Sequence, residues 1–251
     1  MDNKYYKTWL NMNIERDENG DFYYRLPFSF ENLKHPYADY HAWPTFGAIT
    51  IDMTDSDLYK KNLAERYKKD ITFTSLIVRA AALALEDNPI LTGVWEGKDK
   101  IRCTNPDEIS IVGPVEVGEL GSFFLIENAN KKTVLEIADE LREEVSEIRS
   151  KGRVGYPWPK DDKGRFRPLF EITNPGMMGV EFGFTVPRTI VTSLMIVCAI
   201  KERPVARSGS VVIRKMMNCV LAIDHYAMLA KIPTNFMNEF KNNLEDPFNR
   251  L

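Results

Sequence analysis

The chain has 251 residues, 44% of them hydrophobic and 27% charged, with a formal net charge of -3 at pH 7. That length buries one large core or two small ones, and the composition is that of a folded chain rather than a disordered tail. The small negative charge excludes a global basic field of the kind that gathers nucleic acid. No apolar run is long enough to span a bilayer, and the opening Met1-Asp2-Asn3-Lys4 lacks the apolar stretch of a signal peptide. A cytoplasmic protein with no nucleic acid and no membrane partner is expected.

Cys103, Cys198 and Cys219 have no CxxC spacing, and the last two sit in apolar runs. Free thiols of that kind behave as small core residues and fit a reducing compartment. His35 and His41 stand at no metal-ligand spacing with acids or cysteines, so no metal is expected.

In chain order, residues 1–45 are rich in Tyr, Asn, Asp and Pro without periodicity, and read as an arm that leans on a neighbour or on another copy of the chain. The β-branched stretch 46–53 reads as a strand. A helix follows over 72–85, with Thr72 or Thr74 as its N-cap; its apolar residues surround the axis, so it is expected to be buried. Asn88-Pro89 ends it. Strands are expected over 108–117 and 122–127. The stretch 133–150 is the clearest amphipathic helix, with Val134, Ile137, Ala138, Leu141, Val145 and Ile148 on one face. Residues 151–168 form a Gly/Pro-rich basic loop, either a contact for ligand phosphates or a solvated insertion. Strands are then expected over 169–173, 180–186, 190–200, 211–213 and 217–223, and a final helix carries Phe236, Met237, Phe240 and Leu244 on one face. The pairs Met177-Met178 and Met216-Met217 read as core filler. Mixed strands and helices in this order, without a repeat, indicate one layered α/β domain.

Several segments in fixed order carry a resemblance. They are Phe73-Thr-Ser-Leu-Ile-Val-Arg-Ala-Ala-Ala-Leu-Ala-Leu with Asn88-Pro89, Val94-Trp-Glu-Gly97, Thr133-Val-Leu-Glu-Ile-Ala-Asp-Glu-Leu141, Glu171-Ile-Thr-Asn-Pro-Gly-Met-Met-Gly-Val180, Arg214-Lys-Met-Met217 and Ala222-Ile-Asp-His-Tyr226. Together, over roughly 46–247, they resemble the catalytic core of the E2 acyltransferase subunit of 2-oxoacid dehydrogenase complexes. More distantly they resemble chloramphenicol acetyltransferase. The resemblance implies an α/β (α+β two-layer) fold, a chloramphenicol acetyltransferase-like mixed sheet with flanking helices that assembles as trimers. It divides the chain into an N-terminal arm, 1–45, and an acyltransferase domain, 46–251, with no lipoyl or subunit-binding domain.

Acyl transfer between thiols needs a base to make a thiolate, a donor for the tetrahedral oxyanion, and a channel that holds both arms in line. The resemblance implies that His225 is the base and that the Thr173 hydroxyl serves the oxyanion, each from a different subunit. Asn174, Asp224 and Leu229 fall in the substrate-binding shell. Leu229 stands where the family carries Asp or Asn, Ala230 where it carries Gly, and Tyr226 where it carries Arg. Leu229 cannot hydrogen-bond. CoA is implied as substrate, with a lipoyl group supplied in trans. The implied partners are a homotrimer, extended in the family to a trimer-built cage, and a lipoylated protein or other 2-oxoacid dehydrogenase components. Three readings follow: a CoA-dependent acyltransferase with a degenerate HxxxDG motif, an inactive E2-like structural core, and a stand-alone small-molecule acetyltransferase of the chloramphenicol type.

Overall fold

The computed structural model describes residues 13–18, 20–25, 44–97, 99–117, 120–151, 158–187 and 190–251. Its strands are β1 (Asn13–Arg16), β2 (Phe22–Arg25), β3 (Pro44–Asp52), β4 (Val94–Glu96), β5 (Lys100–Cys103), β6 (Ile111–Val117), β7 (Leu120–Ile126), β8 (Phe170–Thr173), β9 (Ser193–Arg207) and β10 (Ser210–Asp224). Its helices are α1 (Thr54–Tyr67), α2 (Phe73–Leu85), α3 (Val134–Ser150), α4 (Lys231–Glu245) and α5 (Pro247–Arg250). The main sheet has six strands in the order β3-β10-β9-β8-β6-β7. β8 runs parallel to β6 and β9, and the remaining pairs are antiparallel. A second, smaller antiparallel sheet has the order β1-β2-β5-β4.

The helices form where local chemistry and burial agree. The Thr72 Oγ1 accepts the Ser75 amide and caps α2, whose Leu76, Val78, Ala80, Ala81, Ala82 and Leu85 are sealed from solvent. Thr133 and Glu136 form a reciprocal capping box at the start of α3, and Val134, Ile137, Leu141 and Ile148 face inward. α4 places Phe236 against Phe170 of β8, ring centroids 5.2 Å apart, and buries Phe240 and Leu244 beside them. Each such side chain contributes ~1.5–3 kcal/mol through burial. These helices cover one face of the main sheet with Ile172, Met195, Val197, Met217, Leu221 and Ile223 in the shared core.

The opposite face carries Leu194, Ile196, Cys198, Val220 and Ala222. The crossover after β8 runs over it. This stretch, 180–186, is not a strand, contrary to expectation. β9 already bonds β8 on one edge and β10 on the other, so the crossover has no strand edge to join. It lies across the sheet, held by the Ala199 amide on the Val180 carbonyl (2.7 Å) and by Asn218 Nδ2 on the Glu181 carbonyl (3.0 Å). Met177 and Met178 are 81% and 65% exposed here, so they are not core filler, whereas Met216 and Met217 are buried.

β9 and β10 are continuous fifteen-residue strands where the sequence suggested shorter pieces. Their inner halves are buried on both faces, and their outer halves, from Ile200 to Lys215, extend as a ribbon that exposes Val211 and Ile213. β1 and β2, from the arm, pair with each other, and β2 pairs in cis with β5 of the same chain. Residues 1–12 and 26–43, with His35 and His41, lie outside the described residues.

Candidate active site

Two stretches of the main sheet carry the residues singled out by sequence. The first is the C-terminal end of β8. Its alternation turns Phe170 and Ile172 to the helices, which leaves Glu171 and Thr173 on the other face. Thr173 and Asn174 are half-buried. A short 3-10 turn, Pro175–Met178, follows and crosses β9 at close range. A Cβ on Gly176 would stand 2.3 Å from the Cys198 carbonyl carbon and 2.4 Å from its oxygen. Only glycine lets the backbones approach that far, and the approach fixes where Thr173 and Asn174 leave the sheet.

The second stretch is the turn that ends β10. Asp224 is fully buried. Its backbone amide donates to the Thr192 carbonyl (2.8 Å), and its carboxylate accepts the Tyr226 amide at Oδ1 (3.0 Å) and the Trp95 Nε1–H at Oδ2 (2.9 Å). Asp224 thus knots the turn together. The chain passes through half-buried His225 and Tyr226 and dives into the core at Ala227 and Met228. It then surfaces at Leu229, 40% exposed, just before α4. Trp95 belongs to the Trp-Glu-Gly segment, and its part in the site is visible only once its turn is seen to approach a buried carboxylate.

The segment behind this turn is bolted down. Thr192 Oγ1 donates to the Ile90 carbonyl (2.7 Å), Ser193 Oγ to the Leu91 carbonyl (2.6 Å), the Thr192 amide to Gly93 (3.0 Å) and the Trp95 amide to Ile190 (2.9 Å). Five residues of β10 and its turn separate His225 from the level of Thr173, because Thr173 pairs with Ile196 and Ile196 with Val220. At strand spacing, with two inter-strand steps across, that puts the two side chains on the order of 15–20 Å apart within one chain. Thr173 and His225 therefore cannot meet at one reacting centre within a single chain.

In the described part of the basic loop, Arg165 and Arg167 are paired within the chain. Arg165 donates to Asp161 (2.9 Å) and to Asp21 of the arm (2.7 Å), and Arg167 pairs with Glu127 (2.6 Å). Buried Arg102 joins Glu96 and the Phe166 carbonyl. Asp21, Arg102, Glu127, Asp161 and Arg167 border a polar cavity of about 580 Å³ between the small sheet and the loop. The three cysteines are free and buried, and burial pushes each thiol upward. They stay protonated near neutrality, which argues against a cysteine nucleophile. Among the described residues no group of three or more His, Cys, Asp or Glu side chains could hold a metal ion.

A mixed six-stranded sheet with helices on one face is the fold of chloramphenicol acetyltransferase. A solved chloramphenicol acetyltransferase superposes with a TM-score of 0.54 at 13% identity, covering 86% of this chain and 92% of that one. The cubic core of the pyruvate dehydrogenase multienzyme complex superposes with a TM-score of 0.70 at 20% identity, covering 82% of this chain and 83% of that one. At the level of sequence, the profile of the 2-oxoacid dehydrogenases acyltransferase (catalytic domain) family matches residues 43–251, and the chain belongs to that family. It is 27% identical over 219 residues to the Saccharomyces cerevisiae dihydrolipoyllysine-residue succinyltransferase component of the mitochondrial 2-oxoglutarate dehydrogenase complex. That match takes in 86% of this chain and 45% of the relative, so the chain spans about half the length of the curated relative.

Proposed function

We propose that this chain is a CoA-dependent acyltransferase core that moves an acyl group between a dihydrolipoyl thiol, carried by another protein, and CoA. The observation that carries the reading is the placement of Thr173 and His225. Both sit at sheet ends, each half-buried, and their separation suits a site completed by a second subunit. In such a site His225, held by the Asp224 turn, takes the proton from the attacking thiol, which leaves a thiolate. The Thr173 hydroxyl of the neighbouring subunit donates to the oxygen on which negative charge develops. The assembly is a homotrimer with closed symmetry, and a larger trimer-built cage requires a second interface between trimers, for which the C-terminal Pro247-Phe-Asn-Arg-Leu251 is the apolar candidate. The crossover supports a subunit interface on this face: Phe46, Phe182 and Phe184 are exposed there, with centroids 5.5 Å apart in each adjacent pair. The domain so assigned is 46–251, the compartment is the cytoplasm, and the partners are a lipoylated protein and the other components of a 2-oxoacid dehydrogenase complex.

Leu229 supports a second reading, a structural E2-like core that has lost the reaction. The position four residues after the histidine presents an exposed aliphatic side chain with nothing to donate or accept. Loss of one such polar group costs about 2–4 kcal/mol of transition-state stabilisation, which slows an enzyme severely without emptying its channel. The stand-alone chloramphenicol-type reading is weaker, given the family to which the chain belongs.

Calorimetric titration of the purified oligomer with CoA, beside His225→Ala, separates these readings. Saturable binding followed by acyl transfer from acetyl-CoA to dihydrolipoamide supports the enzyme. Absence of binding at millimolar CoA refutes it and leaves the scaffold.

A further inference from the structure

We infer that Trp95 is a positioning residue for His225, acting through the buried carboxylate of Asp224; the inference rests on the catalytic role proposed for His225. Trp95 lies on β4, in the small sheet, and its side chain reaches the end of β10, 129 residues later, to place Nε1 2.9 Å from Asp224 Oδ2. Asp224 has no exposure to solvent. A carboxylate at such a site is stable only where donors satisfy it. The Trp95 indole holds one oxygen and the Tyr226 amide the other. Those two bonds act on the residues either side of His225 in the turn: one anchors the carboxylate before it, and the other ties down the amide after it.

The strand that carries the indole is fixed. The Trp95 amide bonds the Ile190 carbonyl, β4 pairs with β5, and Val94 forms a bridge to Val191. Trp95 is therefore a rigid strut between the small sheet and the histidine turn, not a side chain that follows the turn wherever it goes. Breaking a bond to a buried carboxyl leaves a polar group under-satisfied, which costs more than losing the same bond at the surface. The turn would answer by letting Asp224 rotate toward other partners, and His225 would leave its productive angle. General-base catalysis depends steeply on that angle.

The test uses the full-length oligomer with acetyl-CoA and free dihydrolipoamide as probes. Trp95→Phe keeps the ring and removes the donor. It is expected to lower kcat about tenfold while KM for either probe stays within about twofold. Asp224→Asn lowers kcat as well, and the double variant is no slower than Asp224→Asn alone, since both act on one bond. A Trp95→Phe rate equal to wild type, or fully additive effects in the double variant, would overturn the inference. If the wild-type oligomer transfers no acyl group, the catalytic role of His225 fails and the strut is judged by a second reading. The chain has only three histidines, so the His225 imidazole resonances can be assigned by their loss in His225→Ala. They are expected to shift or broaden in Trp95→Phe while those of His35 and His41 do not. An unchanged His225 signal refutes the strut whatever the activity.

Discussion

Thr173 and His225 leave the main sheet at opposite levels: Thr173 pairs with Ile196, which pairs with Val220, while His225 lies beyond Asp224 at the far end of the same strand. Neither can approach the other without dismantling the register of β8, β9 and β10. A site that uses both must take them from two chains, and mixing experiments follow directly. Thr173→Val and His225→Ala are each expected to lower acyl transfer at least 10²-fold. Co-expressed at equal levels, they assemble mixed oligomers in which about a quarter of the interfaces join an intact threonine to an intact histidine. Activity near a quarter of wild type is the expected result. Activity no higher than that of the better single variant would place both residues in one chain, or neither in the site.

Leu229 stands where the resemblance places an Asp or Asn of the family, and a polar side chain there is testable. It is 40% exposed at the entry to α4, so a polar replacement meets no packing penalty. Leu229→Asn is expected to raise kcat by about 10²-fold with little change in thermal stability. A variant with unchanged, negligible turnover and no CoA binding would assign the chain to the structural reading.

Much of this was legible in the sequence where chemistry is local. The periodic apolar face of α3 and the all-round apolar surface of α2 announced their helices, and the β-branched run announced β3. α1 was not legible. Its buried residues are Ser56 and Asp57, held by bonds to the Leu244 carbonyl (2.6 Å) and to Lys215 (2.6 Å), partners that lie more than 150 residues away. β4 and β5 are too short to show a period. The outer ribbon was hidden by charge and by Pro204, which β9 tolerates because beyond Ile196 it is no longer paired with β8. At the site, sequence order supplied Thr173 and His225. Their separation was not readable, because it depends on which strands lie between them. The strut from Trp95 was not readable either, because it joins two elements that nothing in the chain order associates.

Gly176 offers a test of how the Thr173 end of β8 is set. Its missing Cβ makes room for the backbone of Cys198 and Ala199, which are strand atoms with no freedom to give way. Gly176→Ala is expected to destabilise the protein by about 1–3 kcal/mol, read as a lower denaturant midpoint at unchanged slope. Acyl transfer should fall more than stability accounts for, since the turn carries Thr173 and Asn174 out of position. A neutral effect on both would mean that the crossover shifts freely over β9.

Burial by itself pushes the Asp52 carboxyl upward, but bonds from Thr54, Arg214 (2.7 Å) and Arg207 (3.3 Å) outweigh it and hold the group below the usual carboxylate range. Asp57 is balanced in the same way, burial against Lys215 and Lys61, with the same net direction. A carboxylate depressed on folding contributes stability that is fully present above its unfolded pKa and is lost as pH falls through its folded one. The window therefore opens near pH 4 and extends below it. Both aspartates tie the β9–β10 ribbon to the start of α1, and their cations are partly exposed, so screening trims the effect. Asp52→Asn is expected to lower Tm by about 2–4 °C at pH 7 and to flatten the fall of Tm between about pH 5 and pH 3. Raising the salt concentration should narrow the difference between the variant and wild type. Parallel Tm–pH curves for the two proteins would show that the carboxyl of Asp52 titrates in the folded state as it does in the unfolded one.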